Sequence, residues 1–108
     1  MGKQTKIKNF DPNSPASGEG NIFGLPFTTD EAELVLIPVP WDVTVSYKDG
    51  TSKGPQAIFE ASAQVDLFDP LVKDSWKIGV ATEEISKEIA KKNTAQRKIS
   101  SKYIQNIE

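Results

Sequence analysis

Ile37-Pro38-Val39-Pro40-Trp41-Asp42-Val43-Thr44-Val45-Ser46-Tyr47-Lys48-Asp49-Gly50-Thr51-Ser52, followed by Lys53-Gly54-Pro55-Gln56-Ala57-Ile58, decides the fold. The stretch reads as the end of a buried strand, then a long loop, then the start of a helix. In an open α/β sheet a ligand site is built at such a junction, outside the carboxyl end of the strand. Just upstream, Leu34-Val35-Leu36-Ile37 is an unbroken apolar run. Lacking alternation, it reads as a strand buried on both faces, as in a parallel sheet. Pro38 and Pro40 cannot donate ladder hydrogen bonds, so the strand should end there or reach an edge. The loop from Trp41 to Lys53 is long for a strand-to-helix connection, and such loops are usually functional. Gly50 suits a turn that needs positive φ, with Asp49 before it.

Gly54-Pro55 opens a helix, because proline at the first helical position gives up only an orphan N–H. Ile58, Ala61, Ser62 and Val65 continue at helical spacing as a narrow apolar face. Asp69-Pro70 stops the element. Trp76-Lys77-Ile78-Gly79-Val80-Ala81 alternates and reads as a second strand. Strand, helix and strand in that order imply a right-handed parallel crossover. From about Glu83 the chain reads as one long helix, capped by Thr82 or Ser86. Ile85, Ile89, Ile99, Tyr103 and Ile107 form its apolar stripe. Glu83–Lys87 and Glu88–Lys92 are favourable pairs at i,i+4. The fold class is therefore α/β, and the division is an N-terminal arm over 1–32 and an α/β domain over 33–108. In the arm, Asp11-Pro12-Asn13-Ser14-Pro15 and Ser17-Gly18-Glu19-Gly20-Asn21 are turn and linker chemistry. Its irregularly spaced Phe10, Ile22, Phe23, Leu25 and Phe27 either pin the arm onto a neighbouring surface or belong to a partly ordered tail.

Composition narrows the function classes. The 108 residues leave room for one domain. A formal charge of −2 offers no broad attraction to nucleic acid. The absence of cysteine excludes a disulfide framework and a thiolate metal site, and fits a reducing, cytoplasmic compartment. The apolar run Leu34 to Trp41 is too short to cross a bilayer. Lys3, Lys6 and Lys8 have no apolar segment behind them, so a signal peptide is not expected. No histidine is present, which removes a Ser-His-Asp triad and the commonest metal ligand. Asp66 and Asp69 lie close together without the further oxygen ligands a calcium loop requires. Gly50 to Gly54 does not match a phosphate loop, and Pro55 removes a donor where phosphate needs one.

The candidate site residues are Trp41, Asp42, Thr44, Ser46 and Tyr47, placed at the carboxyl end of the first strand. Asp42 has two open roles: accepting from a cationic guanidinium, or fixing the loop through its own backbone. Trp41 and Tyr47 either wall a planar cation or, for Trp41, pack into the core. The lysines between Lys87 and Lys102 read as a solvated helix face.

The strand ending Ile37-Pro38-Val39-Pro40-Trp41-Asp42, the loop Val43 to Asp49, Gly50-Thr51 and Gly54-Pro55-Gln56-Ala57-Ile58 together resemble the N-terminal segment of the ureohydrolases. That family includes arginases, agmatinases and formimidoylglutamases, and the agmatinase-like branch is the most similar. Val65-Asp66-Leu67-Phe68-Asp69-Pro70 also resembles the segment just after the first helix in that branch. In two departures, Phe59 stands where members often have arginine, and Asp49-Gly50 replaces a common Pro-Gly. The resemblance implies the strand-helix-strand-helix portion of a three-layer α/β/α, mostly parallel sheet, here incomplete. It implies hydrolysis of a guanidino C–N bond with release of urea. It implies two manganese ions, held in complete members by histidine and aspartate motifs further downstream, which activate water for attack. None of those motifs occurs here, so no catalytic or metal residue carries over, and Gly50, Gly54 and Pro55 are structural positions only.

The leading expectation is an N-terminal fragment of an agmatinase-like ureohydrolase, inactive alone and binding no manganese of its own. Its partner would be the missing remainder of the enzyme or an intact family subunit. The alternative is a non-catalytic interaction or small-molecule binding module. Two strands and two helices leave a sheet edge open, and one helix layer covers only one face of Leu34 to Ile37.

Overall fold

The computed structural model describes residues 2–16 and 21–107, the last of these through its backbone alone. The expected linker at Ser17 to Gly20 and the Ile107 side chain lie outside the described residues. The elements in chain order are α1 (Lys3–Asn9), β1 (Leu34–Leu36), α2 (Gly54–Ser62), β2 (Val80–Thr82) and α3 (Lys87–Ile107). Single 3-10 turns occur at Ile22–Gly24, Thr51–Lys53 and Ser75–Ile78. β1 and β2 pair in parallel, with Leu34 opposite Val80, Val35 opposite Ala81 and Leu36 opposite Thr82. This is the α/β class expected, with a two-stranded, incomplete sheet. The chain divides into two compact units, Met1–Ile37 with Ile58–Glu83, and Pro38–Ala57 with Glu84–Glu108.

The first unit has an apolar core of Ile22, Leu25, Phe27, Trp76 and Val80, with Ile7, Phe10, Leu36, Phe59 and Leu67 packed against it. Phe27 is fully buried. Phe10 and Phe27 both lie within aromatic contact of Trp76, at 5.0 and 6.4 Å between ring centroids. The arm residues therefore form core rather than tail. Polar contacts tie the same segment down. Lys3 Nζ donates to Ile78 O at 2.6 Å, and Lys6 pairs with Glu31 at 2.6 Å. The Ser62 hydroxyl accepts the Phe23 N–H at 2.9 Å and donates to Phe59 O at 2.7 Å.

Four sequence expectations need correction. Leu34 to Ile37 is not covered on both faces: Leu34 is 50% and Ile37 75% exposed, because two strands with one crossover helix supply too little cover. The second strand begins at Val80, not Trp76. Asp74 (φ 53°) and Gly79 (φ 84°) turn the chain left-handed on either side of Trp76, whose ring serves as a core plug. Gly79 has a second reason to be glycine, since a Cβ there would meet Ala32 Cα at 3.2 Å and the Phe27 ring at 3.4 Å. On α2 the inward residues are Phe59 and Ser62, while Ile58 and Val65 are exposed and Val65 lies beyond the helix. α3 starts at Lys87, since the Glu83 N–H is taken by Leu36 O at 2.9 Å in the sheet ladder. Ser86 is the cap: its Oγ accepts the Ile89 N–H at 3.1 Å.

Candidate functional site

The long loop and α3 lie together in the second unit. Asp42 is 6% exposed, and its Oδ2 accepts the N–H groups of Gly50 at 3.0 Å and Ser52 at 3.1 Å. One carboxylate thus ties the start of the loop to its end, eight and ten residues on. Gly50 takes φ 123°, the positive φ expected of it, and opens the turn that leads into α2. The Gly50 N–H, then that of Ser52 and the Asn93 side chain, hold the Asp42 carboxyl down from 3.8 to about 2, against the upward push of burial. Of the two roles open to Asp42, the structure realises loop fixing.

The far side of the loop is held by α3. Asn93, 6% exposed, accepts the Asp42 N–H on its Oδ1 at 2.7 Å. Arg97 Nη1 donates to Val43 O at 3.0 Å and to Val45 O at 2.7 Å. Ser100 Oγ adds a third donated bond, to Val43 O at 2.5 Å. The inward face of α3 is therefore polar, and the expected apolar stripe is not its contact surface: Ile99 is 52% and Tyr103 69% exposed. The Glu88–Lys92 pair forms as expected, at 3.1 Å on the surface.

Trp41, Thr44, Ser46 and Tyr47 all sit on the exposed side of the loop, Tyr47 almost completely so. The core-packing reading of Trp41 does not hold in the structure, since the residue is 42% exposed. Asp42 lines a cleft of about 290 Å³ with Gly50, Ser52, Lys53, Asn93 and Arg97. Sequence reasoning passed over Asn93, Arg97 and Ser100. The signal available was their i, i+4, i+7 spacing, which puts three polar side chains on one helix face, and the fact that Arg97 is the chain's single arginine.

The arginase family is matched over residues 32–107, from before β1 to the end of α3. The chain belongs to the arginase family. Within that family it is similar to the N(1)-aminopropylagmatine ureohydrolase of Synechocystis sp., 41% identical over 39 residues, 36% of this chain and 13% of the relative. It is also similar to the N(1)-aminopropylagmatine ureohydrolases of two Thermus thermophilus strains, each 36% identical over 56 residues, 52% of this chain and 17% of the relative. The match thus spans less than a fifth of these ureohydrolases. No solved structure matches the chain. The ureohydrolase resemblance of the Ile37 to Ile58 stretch is therefore that of a true family member.

The metal dependence general to the arginase family does not fit the residues present. Among the described residues no group of three or more histidine, cysteine, aspartate or glutamate side chains is placed to hold a metal ion. Asp42, the most buried carboxylate among the described residues, spends its Oδ2 on backbone amides. Asp66 and Asp69 each accept the backbone N–H two residues on, at 2.8 Å, as local turns. Among the described residues no helix is long and apolar enough to cross a membrane.

Proposed function

We propose that this chain forms the N-terminal portion of an agmatinase-like, manganese-dependent ureohydrolase that cleaves a guanidino C–N bond, and that it does not turn over substrate alone. The observation that carries this reading is the family match over residues 32–107 in a chain without a single histidine. The strand-to-helix loop belongs to the rim of the active-site mouth, where Trp41, Thr44, Ser46 and Tyr47 face a cationic substrate and Asp42 holds the loop. Exposed aromatic faces attract a guanidinium cation, and the hydroxyls of Thr44 and Ser46 accept its N–H groups. Metal chemistry, which lowers the pKa of a bound water, is supplied by residues outside this chain.

The partner in this reading is the remainder of the enzyme or an intact family subunit. Exposure of Ile37, Phe68 and Leu71, at 75, 76 and 91%, supports it, because such side chains each gain about 1.5–3 kcal/mol on full burial. The lack of cysteine and a formal charge of −2 support a cytoplasmic setting with no nucleic-acid or membrane partner.

The test is urea release from agmatine, N(1)-aminopropylagmatine and arginine with added manganese. The purified chain is assayed alone and when co-expressed with the C-terminal remainder of the Thermus thermophilus relative. The expected result is no urea from the chain alone, no stoichiometric manganese binding in calorimetry, and urea from the complemented pair. Urea from the chain alone overturns its inactivity. A pair that assembles but stays silent, together with saturable agmatine binding by the chain alone, replaces the reading with a small-molecule binding module.

A further inference from the structure

We propose that Arg97, flanked on α3 by Asn93 and Ser100, is a positioning residue that sets the conformation of the Asp42 to Ser52 loop through the carbonyls of Val43 and Val45. The inference rests on the reading of that loop as a substrate rim, and it adds the group that decides where the rim lies. Three observations carry it. The loop's outward side chains Thr44, Ser46 and Tyr47 are exposed. Its inward backbone is gripped from one helix face, by Asn93 on the Asp42 N–H, by Arg97 on Val43 O and Val45 O, and by Ser100 on Val43 O. The gripping cation is the sole arginine among 13 basic residues.

The choice of arginine has a physical reason. One guanidinium nitrogen here reaches two carbonyls two residues apart, and the planar head is preorganised for such contacts. A lysine ammonium is a hydrated point charge on a flexible stem and favours leaving for solvent. The arrangement also carries a cost, because Arg97 Nε is buried with no hydrogen-bond partner among the described residues. If only charge mattered, lysine would serve without that orphan donor. The loop therefore hangs between two fixed supports, the Asp42 carboxylate on its ends and the Arg97 guanidinium on its first half.

The test uses the full chain with R97K, R97A and S100A, and K102A as a control on the same helix, outside the grip. Amide exchange of residues 42–52 and the carboxyl titration of Asp42 are followed by NMR. R97K and R97A should each speed exchange in the loop by roughly tenfold or more, the loss expected for hydrogen bonds from a charged donor. They should also move the Asp42 titration upward from about 2, while exchange at Val80 to Thr82 stays unchanged. S100A, a milder change, should give a smaller shift in the same direction, and it keeps the proposal falsifiable if R97A unfolds. Wild-type loop exchange in R97K, or equal effects from K102A, overturns the proposal. These readouts need no substrate, so the grip fails or stands apart from the urea assay, which tests the ureohydrolase reading.

Discussion

The two units of the chain are held by opposite chemistries. The first closes on buried aromatic and aliphatic rings and chains, with Phe27, Leu25 and Ile22 almost without exposure. Apart from the buried Val43 side chain, the second closes on polar groups: the buried side chains Asp42 and Asn93, and the backbone carbonyls of Val43 and Val45. Apolar burial is non-directional and tolerates adjustment. A buried hydrogen-bond network tolerates little, since each unpaired group costs its desolvation. The first unit is thus built for cohesion, and the second for holding one loop in one shape.

The largest break in that comparison should come from emptying the apolar core. Phe27→Ala removes a fully buried ring and should cost about 3–5 kcal/mol, a large part of the roughly 5–15 kcal/mol typical of a domain. Urea or thermal unfolding checks it, and a loss below about 1 kcal/mol would mean that the core is not a core. Cutting the polar unit should cost less. Asp42→Ala loses two charge-assisted hydrogen bonds and should cost about 1.5–3 kcal/mol, with faster amide exchange at Gly50 and Ser52 as its local mark. Unchanged exchange there would leave the loop with no need of its carboxylate.

Acid titration sharpens the comparison because, among the described residues, a depressed carboxyl stands in each unit. The hydrogen bond from Lys6, then the Thr28 N–H, holds Glu31 down from 4.5 to about 2 in the first unit. Asp42 is held at about 2 in the second. Both bind a proton more weakly folded than unfolded, so their stabilisation is complete above about pH 4.5 and is lost as the pH falls toward 2. Carboxyl NMR should show both titrating late. Lys6→Met should raise the Glu31 midpoint alone, and a matching rise at Asp42 would show the two groups to be coupled. The smallest effect belongs to the surface: Lys92→Ala breaks the exposed pair with Glu88 and should cost about 0.3–0.5 kcal/mol.

Much of the local architecture was legible in the residues themselves. Gly50 suited a turn of positive φ, Pro55 suited the first turn of α2, Ser86 was one of two offered caps, and the unbroken apolar run at Leu34 to Leu36 read as strand. Those readings rest on backbone sterics and short-range hydrogen bonding, which a few neighbouring residues settle. The tertiary structure decided what depends on residues far apart in the chain. Periodicity marked Ile99 and Tyr103 as the inward stripe of α3, yet the helix turns Asn93, Arg97 and Ser100 inward, because the loop offers them carbonyl and amide groups that must be paired. The arm lacked any regular spacing, yet Ile22, Leu25 and Phe27 became core, since burial there is set by the cavity that Trp76 and Val80 leave for them. Hydrophobic pattern reports which side chains seek burial, and only the assembled chain determines which of them find it.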